Sequence, residues 1–402
     1  MTQKCEAYLN KLCREIPQRP VGSKGNQQAS AFFKEIVKKY DWKIESTPFP
    51  AMDWIVDRAE LQIGSNDFQV YASPYSLGCS LEAELAEAGT LKELEKIDVS
   101  GKLLLLHGEL TCEQLMPKNF VFYNPKDHQQ IITLLEEKKP GAILSATGRN
   151  ASLAGGVYPF PLIEDGDFQI PSVYLTEEEG QELLMKVGQV GKLTSNASRI
   201  QTEGLNLVVR KGQDHTRRIA ISAHIDAKID TPGAIDNATG VIVLLLLAEK
   251  LRDYQGKVMI ELLPFNGEDY YAASGQMIYL EQNRDRFDEF LININIDGAG
   301  FHQGPSVFSP FNLSEDIYNR FSEVIDSTEK IQEGGPWYQG DHSIFLQQGV
   351  PAIAVTSQWF LENIDKQEIT HTPKDQAGIV DCDKLVDIAD SIFEFISKAY
   401  LD

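Results

Sequence analysis

The apolar positions of this chain switch period along its length, and the switches predict its layout. Near the N-terminus Ala7, Leu9, Leu12 and Ile16 fall on about one face of a helix over residues 5–18. Pro17, Pro20, Gly22 and Gly25 end it. A second helix is predicted over residues 27–40, with Ala29, Phe32, Phe33, Ile36 and Val37 inward, and residues 42–47 alternate as a strand does. From about residue 57 the character changes. Short strand-like runs at 61–63, 68–71, 103–107, 141–144 and 171–175 mix with helices predicted at 131–138 and 177–187. The stretch 147–167 is irregular and rich in glycine, proline and aromatic residues, a candidate cover for a site. Residues 217–223 are β-branched and apolar, and 241–248 are apolar without a polar face, as in a helix packed on a sheet. Further buried strands are expected at 257–263, 291–296 and 351–356. Strands alternating with helices make the expected fold class α/β.

The polar residues fall just past these strands. His224-Ile225-Asp226 closes the first, and Asp236-Asn237 and Gly240 lead into the apolar helix. Asn266-Gly267-Glu268-Asp269 ends the next strand, Asp297-Gly298 another, and His371-Thr372-Pro373 follows the last. Open α/β sheets place their sites at the C-terminal ends of strands. The residue types are those of a metal site: imidazole and carboxylate suit zinc, and a carboxylate can bridge two ions. Glu268 and Asp269 are adjacent acids that point in different directions, so one can bind metal while the other stays free as a base. His224, Asp236, Glu268, Asp269, Asp297 and His371 suffice for two metals, one bridging carboxylate and one base. A plainer reading of Asp236 stays open, since it also stands where a helix N-cap would.

Composition narrows the rest. With 402 residues, 42% hydrophobic and 24% charged, the chain has room for two or three domains and a large core. A net charge of −22 argues against nucleic acid and against an anionic membrane surface. The start, Met1 to Ala7, lacks the apolar core of a leader, so a cytoplasmic protein is expected, or a secreted one if a leader was removed. Cysteines at 5, 13, 79, 112 and 382 are odd in number and form no C-x-x-C pair, which fits reduced thiols and argues against cysteine-bound zinc. There is no G-x-G-x-x-G, P-loop, G-x-S-x-G or H-E-x-x-H, so nucleotide binding and serine-hydrolase chemistry have no support.

The order H-x-D, D-N, G-E-D, I-D-G and H-T-P-x-D resembles the M28 family of co-catalytic zinc aminopeptidases. Asn266 to Tyr271 with Ser274-Gly275-Gln276, and Gly340 to Phe345 followed by Gly349-Val350-Pro351-Ala352, are close to that family's patterns, and Arg19 to Ser23 resembles its N-terminal R-x-x-G-S turn. The series SGKLLLLHG, PGAILSA and IPSVYLT resembles a protease-associated (PA) domain. The resemblance implies a mixed central sheet flanked by helices, built from residues 1–56 and 205–402, with a smaller β-rich domain inserted at 57–204. It implies two zinc ions, or other divalent metals, bridged by Asp236. His224 and Asp297 would share one metal, and Asp269 and His371 the other. Asp226 would orient His224 through its second ring N–H. Glu268 would take a proton from a metal-bound water that attacks the scissile carbonyl of a peptide, and Tyr338 would face the oxyanion. An aromatic packed under a loop is the plainer reading of Tyr338. Two positions depart from the family pattern: Asp269 stands where Glu is usual, and Gly340 where Ser is common. The expected activity is an aminopeptidase. A carboxypeptidase or other amide hydrolase, a glutaminyl cyclase-like transferase and an inactive binding protein of the same fold are the alternatives.

Overall fold

The computed structural model describes residues 1–149, 158–328, 330–364 and 367–401. Part of the irregular stretch 147–167, the candidate cover, lies outside the described residues. The chain forms two compact units. One comprises Met1–Ala51, Glu203–Asn363 and Ile369–Asp402, and the other Met52–Thr202 with Ile364–Glu368. Two long strands, β1 (Lys43–Ile63) and β8 (Val190–Lys211), carry the chain out of the first unit and back.

Within the second unit, β2 (Asn66–Phe68) folds back on the end of β1, with Leu61 opposite Phe68. The remaining strands there are β3 (Tyr71–Ala72), β4 (Cys79–Ala88), β5 (Leu103–Leu106), β6 (Ala142–Thr147) and β7 (Ser172–Thr176). They lie in the order β8-β4-β5-β6-β7-β3, and β4 to β7 run parallel. A parallel strand is buried on both faces, which explains the run of four leucines in β5. Leu104 and Leu106 join Ile131, Ile132 and Leu135 of the helix Lys126–Lys138 on one side, and Leu103 and Leu105 join Val173, Leu175 and Leu183 on the other.

The first unit holds β9 (Asp214–His224), β10 (Val258–Phe265), β11 (Phe290–Ile296), β12 (Ser306–Phe311), β13 (Ile331–Glu333) and β14 (Ala352–Ser357). With the end of β8 they form a mixed sheet in the order β13-β12-β14-β11-β9-β10-β8. The four central strands, β14, β11, β9 and β10, are mutually parallel, while β8 and β12 run against them. Parallel neighbours end on the same side, so whatever follows these strands gathers at one edge. The helix Thr239–Lys250 is buried along its first ten residues. It packs on β9, β10 and β11 and is covered by the helices Thr2–Asn10, Lys24–Lys38 and Cys382–Ile396, so it has no face left for polar residues. This is the expected α/β class with a mixed central sheet flanked by helices.

One predicted face differs. The N-terminal helix begins at Thr2 and loosens into a π turn at Lys11–Glu15. Cys5, Tyr8, Leu9, Leu12, Cys13 and Ile16 are buried and Ala7 is exposed. A stripe through Cys5, Tyr8 and Leu12 buries far more apolar area than one through Ala7, and area decides which face turns in. Among the described residues no helix is long and apolar enough to cross a membrane, and all five cysteines are free thiols.

Candidate metal centre

The ends of the parallel strands converge on one cluster. His224 is the last residue of β9, pinned by the Ile225 N–H donating to the Phe265 carbonyl at 2.7 Å. Asp297 follows β11 and donates its N–H to Val355 of β14 at 2.9 Å. Glu268 and Asp269 follow β10 after Gly267, whose φ of 138° lies where a side chain is strained. Asp236 comes from the segment between β9 and the helix Thr239–Lys250, and His371 from the chain after β14.

His224 Nδ1 lies 3.1 Å from the backbone carbonyl of Asp226 and donates to it, which leaves the Nε2 lone pair free. Nε2 is 3.0 Å from Asp236 Oδ1 and 3.6 Å from Asp297 Oδ1. His371 Nε2 is 3.0 Å from the other oxygen of Asp236, Oδ2, and 3.2 Å from Asp269 Oδ1. The two oxygens of Asp236 therefore face two different histidines. The potential ligand atoms of His224, Asp236 and Asp297 all lie within 4.8 Å of one another, as do those of Asp236, Asp269 and His371. Those of His224, Glu268 and Asp269 form a third such group.

Two buried atoms in this cluster, His224 Nε2 and Asp269 Oδ2, have no hydrogen-bond partner. Buried polar atoms are rarely left so, because each forfeits its hydration. Buried acceptors without a donor are what a cation requires. Nitrogen and oxygen donors of this kind fit divalent ions of the zinc type.

The electrostatics agree. Burial disfavours a charged imidazole, yet Asp297 and Asp236 outweigh it and push His224 well above the usual histidine range. His371 is raised in the same way, with Asp269 and Asp236 overcoming burial. Burial raises Asp236 too, but the imidazoles of His224 and His371 overcome it and hold the carboxyl far down. Burial, then repulsion from Asp269 and Asp297, lifts Glu268 well above the ordinary glutamate range. Asp297 is raised for the same first reason, and burial takes Asp341 to about 7. Acids crowded into a dry site compete for positive charge, and divalent cations are the strongest relief available.

Neighbouring groups fix the ligand loops. Asn237 Oδ1 accepts the Gly240 N–H at 3.0 Å and its Nδ2 donates to the Ile296 carbonyl at 2.8 Å. Asn237 thus caps the helix, and the Asp236 carboxylate is left to face the histidines. A Cβ on Gly240 would sit 2.5 Å from both Asn237 Oδ1 and the Ile296 oxygen, so only glycine fits there. Asp375 accepts the N–H groups of Ile235 and Asp236 at 2.7 and 3.0 Å. Gln276 donates to Asp341 at 2.9 Å, and His342 Nε2 donates to the Trp337 carbonyl at 2.9 Å.

Two expected roles are placed differently. Asp226 sends its carboxylate to the loop of Glu268, accepting from Gly267 N at 2.7 Å and Asp269 N at 3.0 Å. His224 Nδ1 is 3.9 Å from that carboxylate and is held by the Asp226 backbone oxygen instead. Tyr338 is 66% exposed with its ring on Phe311, and among the described residues no hydrogen bond joins it to the cluster. Asp375 and Asn237 had no assigned role in the sequence, although both lie inside motifs that flank ligands.

Residues 206–396 match the model of peptidase family M28. Aminopeptidase YwaD of Bacillus subtilis (strain 168) is 20% identical over 254 residues, 59% of this chain and 54% of its own length. The chain thus spans about half of that relative's length. An aminopeptidase from Aneurinibacillus sp. strain AM-1 superposes with a TM-score of 0.75 at 19% identity, over 99% of this chain and 94% of that one. BSAP, a zinc aminopeptidase from Bacillus subtilis, gives a TM-score of 0.73 at 16% identity, over 99% and 95%. At these identities the shared property is the fold, and the M28 match covers all the residues of the cluster.

Proposed function

We propose that this M28 chain is a two-metal aminopeptidase that removes N-terminal residues from peptides. One observation supports the reading: two groups of potential nitrogen and oxygen ligands share the carboxylate of Asp236, with the half-buried Glu268 beside them. His224 and Asp297 would hold one zinc ion, Asp269 and His371 the other, and Asp236 both. Bound there, zinc lowers the pKa of water and polarises a carbonyl oxygen. Glu268 accepts a proton from the attacking water on its carboxylate and returns it to the leaving amine nitrogen. Asp226 holds the loop of Glu268 through two N–H groups, so the base keeps its direction while the proton moves.

The test is metal content of the purified protein beside hydrolysis of aminoacyl-amides and N-blocked peptides, for wild type and Glu268→Gln. Two zinc ions per chain, cleavage of free-amine substrates alone, and lost turnover in a variant that keeps its metal are expected. Cleavage of N-blocked peptides from the C-terminus would make it a carboxypeptidase. One metal with release of ammonia from N-terminal glutamine would make it a cyclase. Metal without amide turnover would make it a binding protein, and protein that takes up no metal would sink the site.

A further inference from the structure

We propose that the segment from Arg19 to Asn26 positions the metal centre, with Arg19 bracing the loop that leads to Asp236 and Asn26 bracing the loop of Glu268 and Asp269. The inference rests on the two-metal reading above and adds residues that touch neither metal nor substrate.

Arg19 is 1% exposed and among the largest fully buried side chains. Its Nε donates to the Ile225 carbonyl at 3.2 Å, Nη1 to the Leu12 and Pro232 carbonyls at 2.8 and 2.7 Å, and Nη2 to the Gly233 carbonyl at 2.7 Å. Three of these four acceptors lie between the ligands His224 and Asp236. The loop there has few ladder partners of its own, and buried carbonyls need donors. Its other side is tied to the same segment. The Ala227 N–H donates to the Arg19 carbonyl at 3.3 Å, and the Asp230 N–H to Gln18 Oε1 at 3.1 Å. Space is also used up: a Cβ on Gly233 would lie 2.8 Å from Arg19 Nη2 and 2.5 Å from the Asp236 oxygen. Burying a guanidinium is costly, and it is sustained where its fork of donors is matched. A lysine has no fork to reach three separate carbonyls.

Asn26 forms a reciprocal amide pair with Asn266. Its Nδ2 donates to Asn266 Oδ1 at 2.8 Å, and Asn266 Nδ2 donates back at 2.9 Å. Both side chains are fully buried, and Asn266 immediately precedes Gly267, Glu268 and Asp269. Asn26 Nδ2 also reaches the Arg19 carbonyl at 3.3 Å. The turn between the two braces is closed on itself, since a Cβ on Gly25 would fall 1.7 Å from the Gln18 oxygen. One short segment therefore sets the distance between the loop of the bridging carboxylate and the loop of the base.

The experiment uses the full chain as wild type, Arg19→Ala, Arg19→Lys and Asn26→Ala. Zinc affinity is measured on chelator-stripped protein by competition with a chelating indicator, and folding is checked by urea unfolding. Arg19→Ala is expected to bind zinc about 10–100-fold more weakly. Added guanidinium ion at millimolar concentration should restore much of that affinity, and Arg19→Lys should not. Asn26→Ala, whose partner Asn266 leads into both Asp269 and Glu268, should weaken zinc binding and lower the kcat of the zinc-saturated protein about 10–100-fold. A folded Arg19→Ala with wild-type zinc affinity would overturn the brace, as would a loss that guanidinium leaves untouched. Should Arg19→Ala not fold, Asn26→Ala decides, and wild-type kcat there overturns the proposal. Wild type that binds no zinc overturns the metal-centre reading and this inference with it. Wild-type binding with unaltered variants overturns the inference alone.

Discussion

Asp226→Asn separates stability from function. The Asp226 carboxylate is buried, and burial lifts its pKa from an ordinary value of 3.8 to about 6. That gap corresponds to about 3 kcal/mol of destabilisation of the native state at neutral pH, at 1.36 kcal/mol per pKa unit. Asparagine removes this cost. It also replaces one acceptor oxygen by an NH2 group, so either Gly267 N or Asp269 N is left facing a donor. An orphaned buried N–H costs about 1–3 kcal/mol. The two effects nearly cancel, so net stability should change by less than about 2 kcal/mol. The Glu268 loop loses its tether, and turnover should fall about 10–100-fold. The pH dependence gives a second reading. Between pH 3.8 and about 6 the unfolded chain has released this proton while the native state keeps it. Stability of the wild type therefore falls as pH rises through that window and levels off above it. The asparagine variant, which resembles the protonated form, lacks this contribution. The assay is urea unfolding of metal-free protein across that range, beside turnover of the metal-loaded enzyme. A variant destabilised by much more than about 3 kcal/mol at neutral pH, or one with wild-type turnover, would refute the reasoning.

Glu261 is fully buried and accepts from Arg210 at 2.7 Å, Arg218 at 2.8 Å and the Tyr279 hydroxyl at 2.7 Å. Glu261→Gln removes the buried anion that the two arginines share, leaving Glu45 to Arg210 and Glu289 to Arg218, and should cost about 3–5 kcal/mol in urea unfolding, while zinc affinity stays as in wild type. Leu245→Ala, in the fully buried helix, should cost about 2–5 kcal/mol by the same measurement. Chelation should lower the melting temperature, and zinc above its dissociation constant should restore it by mass action, more so in wild type than in Asp236→Asn. A melting curve indifferent to chelator would count against the cluster as a metal centre.

The periods of the apolar residues determined the α/β class and where each central strand stops. Burial on a sheet or under a helix leaves a local, repeating trace in the chain. The ligand candidates were legible for the same reason: His224, Glu268, Asp269 and Asp297 stand at strand ends, and parallel strands end together. Asp236 was ambiguous as ligand or cap until its neighbour Asn237 was seen to cap the helix. Only the tertiary structure decided which atom meets which. Asp236 gives one oxygen to each histidine, although His371 is far along the chain. Asp226 turns to the Glu268 loop rather than to His224, because the backbone N–H groups of Gly267 and Asp269 are nearer its carboxylate than the imidazole is. Asp375 and Arg19 reach the Asp236 loop from 139 and 214 residues away. Hydrogen bonds between distant loops are set by where the sheet brings the loops, and no period in the sequence records that.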